Sequence, residues 1–433
     1  MGRSVEQVDV VVVGAGLAGA AAAYSAARAG AQVILVERGS RAGAKSLSGG
    51  LLYVHSLSRM FPEFWKEEPA PVERAITRNV LSLLTPTQAT SIDFYDRSFA
   101  EPPFNSFSVL RVKLDSWLIG KAEAAGATVV YGSRVDRLLR EDGKVVGIGL
   151  GSDELRAHVT IVAEGFNAVC AQASQLEPEI SADTVGIGVK QVIGLPPGEI
   201  ERRFQLRGNE GFQLTAAGFP PGVEGGGFLY TNRDSLSIGM ILNLGSVVRH
   251  QVPMYEVLEE FKQHPLVSRY LDGGTLLEYS GCIVNEGGLA SVPPLSGDGF
   301  LLAGSAGQMF LSTGLTLRGM DFALESGRLA GEVAAESVKA KDPSAGFLAR
   351  YRSRLDSSFV LRDLRTHRDY PKVLSNPRLY GVYPEMMNAL LHRAYFVDGS
   401  PREHVNAVLR SVRRGRVSNL TLGRDLLKAM RTL

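Results

Sequence analysis

The stretch VDVVVVGAGLAGAAAAYSAARAGAQVILVE, residues 8–37, decides the fold. Val8–Val13 is an unbroken apolar run, the pattern of a strand buried on both faces. Leu17–Ala29 reads as a helix, with Gly30 at its C-terminal stop. Gln32–Val36 is a second apolar run, and it ends at Glu37. Strand, helix and strand within about 30 residues make one βαβ unit. The turn between the first strand and the helix is Gly14-x-Gly16-x-x-Gly19. Gly14 permits the tight turn, Gly16 lets the backbone approach a pyrophosphate, and Gly19 lets helix and strand pack closely. The helix N-terminus, at Leu17 and Ala18, favours the negative charge of that group. Glu37, with Arg38 beside it, stands where an acid hydrogen-bonds an adenosine ribose. The segment predicts a nucleotide-binding domain.

The same pattern returns much later in the chain. GDGFLLAGSAGQ, residues 297–308, again reads strand, glycine turn, helix start. A nicotinamide enzyme would continue from residue 37 with regular βαβ units. Two half-sites so far apart suit a ligand long enough to touch both. FAD, which reaches from adenosine to isoalloxazine, fits that need. Between the half-sites, residues 109–132 read strand end, amphipathic helix, glycine stop and strand. Asp142-Gly143 marks a hairpin, and residues 158–165 a buried strand ending in a turn. From about 180 to 285, short alternating runs such as GIGVKQVIGL and GGGFLYTN predict an antiparallel sheet. Residues 256–271 are a helical interlude in it. The fold class is therefore α/β. A discontinuous Rossmann-like FAD-binding domain takes residues 1–60, 106–175 and 285–340. A mostly antiparallel β substrate domain takes 61–105 and 176–284, and a helical C-terminal region takes 341–433.

Composition excludes several classes. A chain of 433 residues suffices for two to three domains and a sizeable core. Apolar residues are 45% and charged residues 21%, which argues against a mainly disordered chain. Lysine plus arginine is 47 against 45 acids, so no global positive field recommends nucleic acid as a partner. Cys170 and Cys282 are the only cysteines. They are too few for a disulfide framework or for a cluster held by four thiolates of this chain. Both are expected as small buried hydrophobes. The seven histidines are scattered without H-E-x-x-H, so no metal site is expected. The start MGRSVEQ runs into the first strand without the pattern of a secretory leader. Residues 10–27 and 299–317 are uncharged and approach the length of a membrane span. Glycines and small polar residues interrupt both, so each reads as strand, tight turn and buried helix.

The N-terminal unit, Arg111 in VLRVKLDSWL, Glu164-Gly165 in VAEGFNA, and GDGFLLAGSAG together resemble the flavoprotein class of aromatic hydroxylases and geranylgeranyl reductases. More narrowly, GVKQVIGLPPGEIERRFQL (188–206), EGGGFLYTNRDSLSIGMIL (224–242), FKQHPLVSRYLDGGTLLEYS (261–280) and LTLRGMDFALESG (315–327) resemble FixC-type proteins. These are relatives of electron-transfer-flavoprotein:quinone oxidoreductase. NPRLYGVYPEMM (376–387) and FVDGSP (396–401) extend the resemblance over nearly the full chain. It implies bound FAD, electron transfer rather than hydroxylation, a quinone at the substrate domain, and work inside a multi-subunit complex. The cofactor-binding set it implies is Gly14, Gly16, Leu17, Ala18, Gly19, Glu37, Arg38, Arg111, Val135, Glu164 and Gly165. Gly304 and Ser305 join this set at the second half-site. Lys45, Ser48 and Gly49 belong to the stretch that wraps the flavin in relatives. Gly314 and Leu315 match the place where a helix N-terminus is aimed at the pyrimidine end of the flavin. Ser305 departs from the family, which normally has an aspartate there for the ribityl chain. The serine keeps a hydroxyl contact but loses a charge-assisted one, worth about 1 kcal/mol. Arg318 reads either as a flavin contact or as half of a salt bridge.

No catalytic side chain is named, because the flavin carries the electron chemistry while the protein sets potential, access and docking. Electrons would enter from another flavin or an iron–sulfur centre and leave to a quinone. The resemblance implies electron-transfer-flavoprotein alpha and beta subunits and a small ferredoxin-like iron–sulfur subunit as partners. The assembly would resemble electron-bifurcating ones, in which NADH oxidation drives both ferredoxin and quinone reduction. Residues 401–433 hold eight lysines and arginines against two acids. Val405, Leu409 and Val412 share one helical face there, as do Leu426, Met430 and Leu433. A basic amphipathic end suits peripheral contact with an anionic membrane, which would place the chain on the cytoplasmic face. The alternative is a geranylgeranyl (prenyl-lipid) reductase. Many of those have a cysteine near the flavin loop, where this chain has Ser46 and Ser48, and GGGFLYTN replaces their Y-x-W-x-F motif. AGSAG (303–307) approaches a nucleophile elbow, but Ala303 replaces its first glycine and no triad partners follow. A scaffold that merely retains a nucleotide fold is the third reading.

Overall fold

The computed structural model describes residues 7–44, 49–167, 169–173, 176 and 181–432. Two large sheets carry the architecture. In the first, Phe300–Leu302, Asp153–Val162, Gln7–Val13, Val33–Val36 and Thr128–Val130 lie side by side in that order, all parallel. The apolar runs of the first four are largely buried on both faces, as a covered parallel sheet requires, whereas the edge strand Thr128–Val130 is largely exposed. The edge beyond Phe300–Leu302 is closed by the short strand Ser296–Gly297. A hairpin, Arg137–Glu141 and Lys144–Leu150, attaches antiparallel to Asp153–Val162. It turns at Asp142 and Gly143, both at positive φ.

The first helix, Leu17–Arg28, has seven alanines in twelve residues and is nearly all buried. It is wedged between this sheet and the long helix Met320–Ala340. The two helices approach so closely that a Cβ on Gly327 would lie 2.1 Å from the Ala18 carbonyl oxygen. One on Gly331 would lie 2.3 Å from that of Ala22. Glycine facing alanine is what lets a second helix lie against the dinucleotide helix.

The second sheet runs Thr275–Asn285, Val185–Gly194, Ser235–Asn243, Gly225–Thr231, Glu210–Ala217, Ala75–Leu84, Ser106–Val109, Gly50–Tyr53. Ala89–Tyr95 pairs with Ala75–Leu84. All neighbours are antiparallel except Glu210–Ala217 with Ala75–Leu84. One face packs on the helices Pro197–Phe204 and Met254–Gln263 around Phe204, Phe212, Leu258 and Phe261. The other face, with Leu51, Phe228 and Tyr230, turns toward the first sheet's domain. Gly50–Tyr53 and Ser106–Val109 were expected within the nucleotide-binding portion, but they are hydrogen-bonded into this second sheet. Each is only four residues long, so its sequence is compatible with either sheet. Their mutual register, Gly50 opposite Val109, is a long-range choice.

After Met320–Ala340 the chain is helical, ending in Val382–Tyr395, Val405–Arg413 and Asn419–Thr432. The span-like stretch 10–27 is strand, turn and helix. The stretch 299–317 holds a strand, one 3₁₀ turn at Gly304–Gly307 and half of a small hairpin. The helix start expected at 303–308 is only that single turn. Among the described residues no helix is long and apolar enough to cross a membrane.

Candidate functional site

The parallel strands bring their carboxyl ends to one edge. Val13 is level with Val36 on one side and Val162 on the other, and Val162 is level with Leu302. Gly14, Glu37, Glu164 and Gly304 therefore leave the sheet together, at the edge where doubly wound sheets bind ligands. The three glycines differ in surroundings. A Cβ at Gly14, where φ is +99°, would meet the Ala163 carbonyl oxygen at 2.6 Å. One at Gly19 would meet the Gly14 carbonyl oxygen at 1.8 Å. One at Gly16 would meet nothing closer than Arg111 Nη2 at 3.8 Å. Gly14 and Gly19 are pinned by backbone, whereas Gly16 looks onto open space bounded by a guanidinium. The helix behind it has no acidic residue in its first turn and no side-chain cap, so the amides at Leu17 and Ala18 are available to an anion. The chain fits a dinucleotide pyrophosphate here.

Glu37 organises this edge. Its Oε2 accepts from the Ala15 N–H at 2.8 Å and its Oε1 from the Gly39 N–H at 2.6 Å. A carboxylate has further lone pairs, which leaves capacity for a ribose hydroxyl. The following loop is tied to it by Ser133 N–H to the Glu37 carbonyl and Gly132 N–H to that of Gly39. This places Val135, which is buried, behind the loop. Arg38 is exposed. Arg111 grips the fully buried Asp115 through Nε and Nη2, both at 2.8 Å. That bidentate pair fixes the guanidinium beside Gly16. Glu164 has a structural task as well. Its oxygens accept from the Cys170 and Ala171 amides and cap the short helix Val169–Ala173. Burial pushes its carboxyl above the usual range, against the pull of those amides and of Arg38 and Arg134. Gly165 follows at φ +82° with open space around it. Across the edge, a Cβ at Gly304, where φ is +64°, would lie 2.8 Å from Ala18 Cβ, so Ser305 lies by the first turn of the dinucleotide helix. The buried Gln308 Nε2, three residues on, has no partner among the described residues. An orphaned buried donor there suits a polar ligand.

At the far end, Lys45 and Ser48 lie outside the described residues, and Gly49 sits at φ +76°. Gly314 and Leu315 do not head a helix. They form the tip of a hairpin between Leu311–Ser312 and Leu317–Arg318, and Leu315 is exposed. The cause is local. Thr313 and Thr316 bond to one another through their hydroxyls at 3.0 Å, and Thr313 Oγ1 takes the Thr316 amide, a turn that competes with helix. The helix begins at Met320, whose Cε is 3.0 Å from where a Gly50 Cβ would stand. Arg318 is held by Asp321, 2.8 and 2.6 Å from its Nε and Nη2, and by Asp363. It also lies over the Phe322 and Phe359 rings. Of its two readings, the structure supplies the salt bridge.

One residue was missed. Lys190 lies on Val185–Gly194, is 1% exposed, and donates to the Gly49 carbonyl. Burial pushes its ammonium down to about 7, helped by Arg111 and opposed by Cys282 and Glu278. The alternating run GVKQV gives no hint of this. Cys282, expected buried, is only partly so, while Cys170 is fully buried.

Comparison with known proteins bears on this arrangement. Residues 9–175 match the family described as FAD dependent oxidoreductase. Residues 185–284 match "ETF-QO, ubiquinone-binding", and residues 370–433 match "ETF-QO/FixC family C-terminal domain". The chain is 42% identical over 405 residues to the "Probable electron transfer flavoprotein-quinone oxidoreductase YdiS" of Escherichia coli K12, spanning 93% of this chain and 94% of that protein. It is 42% identical over 427 residues to Protein FixC of Salmonella typhi, spanning 98% and 99%. In fold it is similar to a geranylgeranyl bacteriochlorophyll reductase-like protein of Thermoplasma acidophilum, with a TM-score of 0.73 at 18% identity over 98% of this chain and 99% of that one. It is also similar to the myxobacterial halogenase CndH, with a TM-score of 0.64 at 17% identity over 99% and 91%.

Proposed function

The chain belongs to the ETF-QO/FixC family of FAD-dependent oxidoreductases, and from that premise we propose that it is the FixC-like subunit of an electron-transfer-flavoprotein complex that passes electrons to a quinone. One observation carries the proposal. The residues matching the ubiquinone-binding family, 185–284, supply most of the second sheet, and the inner face of that sheet, at Lys190 and Ser237, meets Gly49. When bound, FAD supplies storage and transfer of electrons. The chain's residues do the rest. The amides after Gly16, with Arg111, receive the pyrophosphate, Glu37 the ribose, and Ser305 the ribityl chain. Gly14 and Gly19 keep the turn tight enough for this. Leu51, Phe228, Tyr230 and Ile241 give the inner face of the second sheet an apolar lining that keeps water from the acceptor.

Electrons enter, on this reading, from electron-transfer-flavoprotein alpha and beta subunits. A separate ferredoxin-like subunit brings the iron–sulfur cluster, since two cysteines cannot hold one by four thiolates. Such an assembly suits bifurcation of electrons from NADH. The C-terminal helices suit docking on the inner membrane face, near a quinone pool. The test is purification of the tagged chain from its native host, with subunit identification and flavin and iron counts. Co-elution of two electron-transfer-flavoprotein subunits and a small iron–sulfur protein, with NADH-driven quinone reduction, is expected. A lone, iron-free flavoprotein that hydrogenates an unsaturated isoprenoid lipid would replace this reading by the prenyl-lipid reductase.

A further inference from the structure

Among the described residues, buried charges come in pairs, with one exception. Glu73 is paired with Lys113, Arg74 with Glu201, Asp115 with Arg111, Asp321 with Arg318, and Glu325 with Arg59 and Arg328. Lys190 is as buried as any of them, yet it has no ion pair among the described residues. Its Nζ has three protons to donate and one partner, the Gly49 carbonyl. An ammonium taken out of water without a counter-charge is costly. A lysine so placed sheds its proton readily and regains it when negative charge appears nearby.

Its position says where that charge would appear. A Cβ on Gly49 would stand 2.2 Å from Ser237 Oγ and 3.5 Å from Lys190 Nζ, while one on Gly50 would stand 3.0 Å from Met320 Cε. The Gly49–Gly50 backbone is thus clasped between Lys190 and Ser237 on the second sheet and the start of the long helix on the first domain. Other groups around Lys190 are few. The strand Thr275–Asn285 presents Cys282 and Glu278, and the helix Arg111–Ala124 presents Arg111, which also borders Gly16. The strand Ser235–Asn243 offers only the uncharged Ser237 and Gly239. Met320 brings no charge.

We propose that Lys190 is a redox-linked proton carrier, binding a proton when an electron pair reaches the cofactor beside Gly49–Gly50 and releasing it when the pair leaves. This rests on the reading that the Gly49 stretch wraps the flavin end of FAD. The pair comes from a reduced flavoprotein partner. One proton from water joins the cofactor and a second joins Lys190, so the local charge does not change. A quinone then takes two electrons and two protons to become the quinol, which returns Lys190 to neutral. Lys190 acts through the Gly49 peptide and its own charge, as a positioning residue.

The experiment is a spectroelectrochemical titration of the FAD-loaded chain from about pH 6 to about pH 9, on wild type, Lys190→Met and Lys190→Arg. One proton per electron pair changes the reduction equilibrium about tenfold per pH unit, or about 30 mV, and two protons about a hundredfold. The wild type should change about tenfold per unit below neutrality, where Lys190 already holds its proton before reduction, and about a hundredfold per unit above it, where reduction draws the second proton onto Lys190. Lys190→Met should change about tenfold throughout, at unchanged FAD content. Lys190→Arg, whose charge does not titrate, should do the same at a higher potential. NMR of lysine labelled at Cε should show one signal titrating near neutral pH in the oxidised holoprotein. That signal should be absent from Lys190→Arg, and it should stay protonated on reduction. Equal slopes in FAD-loaded wild type and variants, or no such signal, would overturn the carrier and leave the FAD site standing. A wild type that retains no FAD would instead overturn the reading beneath it. Should Lys190→Met fail to fold, the NMR of wild type against Lys190→Arg still decides.

Discussion

Gly14, Gly16 and Gly19 are one residue type with different tasks, and substitution should separate them. Gly19→Ala drives a methyl to 1.8 Å from the Gly14 carbonyl oxygen, so the first strand and helix must part. Such overpacking costs about 1–3 kcal/mol, and both apoprotein melting temperature and FAD binding should fall. Gly16→Ala meets nothing within 3.8 Å. Its apoprotein should melt as wild type does while FAD affinity drops, because the methyl occupies the approach to the pyrophosphate. Calorimetry of the apoprotein beside a flavin titration distinguishes the two, and equal loss of stability would refute the assignment. Ser305→Asp should tighten FAD about fivefold, the equivalent of about 1 kcal/mol from a restored charge-assisted bond. Equal or weaker affinity in that variant would deny Ser305 the ribityl role. The glycine spacing was legible in the sequence because the positive φ of Gly14 and the contact of Gly19 with the Gly14 carbonyl are set within a few residues. Lys190 was not. A lysine in an alternating run reads as solvent-facing, and its burial comes from contacts far away in sequence, the Gly49 carbonyl among them.

At the scale of elements, legibility follows the range of the deciding interactions. The strand Gln7–Val13, the helix Leu17–Arg28 and the hairpin at Asp142-Gly143 are fixed by their own composition, and they stand where periodicity puts them. Residues 303–319 went astray because side-chain bonds between Thr313 and Thr316 close a turn where the apolar spacing suggests helix. The strands Gly50–Tyr53 and Ser106–Val109 went astray because pairing partners, which a single sequence does not display, decide sheet membership. The C-terminal helices show the same split. Val405 and Leu409 are exposed as the helical face suggests, but Val412 of that face is buried together with Val408. Leu433 lies outside the described residues. Leu426 and Met430 are exposed on Asn419–Thr432, joined by Leu420 and Leu427. That helix is latched by Asp425, which takes Arg378, Tyr383 and Asn376, and these partners hold its carboxyl well below the usual range. The latch is a folded-state gain, present above the ordinary carboxylate range and lost as pH falls below it.

At the scale of the whole molecule, charge and apolar surface are segregated in a way the near-neutral total hides. The net charge is +2 over 433 residues, but the last 33 carry eight basic residues against two acids, so the other 400 carry a net −4. The same end exposes Leu420, Leu426, Leu427 and Met430 on a helix that Asp425 holds to the body. Apolar area and positive charge on one exposed helix is the combination that binds anionic bilayers, each lysine or arginine contributing about 1 kcal/mol near the surface. The chain should therefore float with vesicles rich in anionic lipid and not with neutral ones. It should be released by salt as the screening length shrinks from about 10 Å at 0.1 M toward about 3 Å at 1 M. Deleting residues 415–433 should abolish flotation at unchanged FAD content. So should replacing Leu426 and Met430 with serine, which disturbs no buried contact. If the deletion leaves sedimentation with liposomes unchanged, the membrane role fails, and the basic end is left as a face for acidic partner subunits. That outcome would be read in the purified complex, where the same deletion would cost subunits rather than lipid. The two roles are thus separable by what the truncated chain loses.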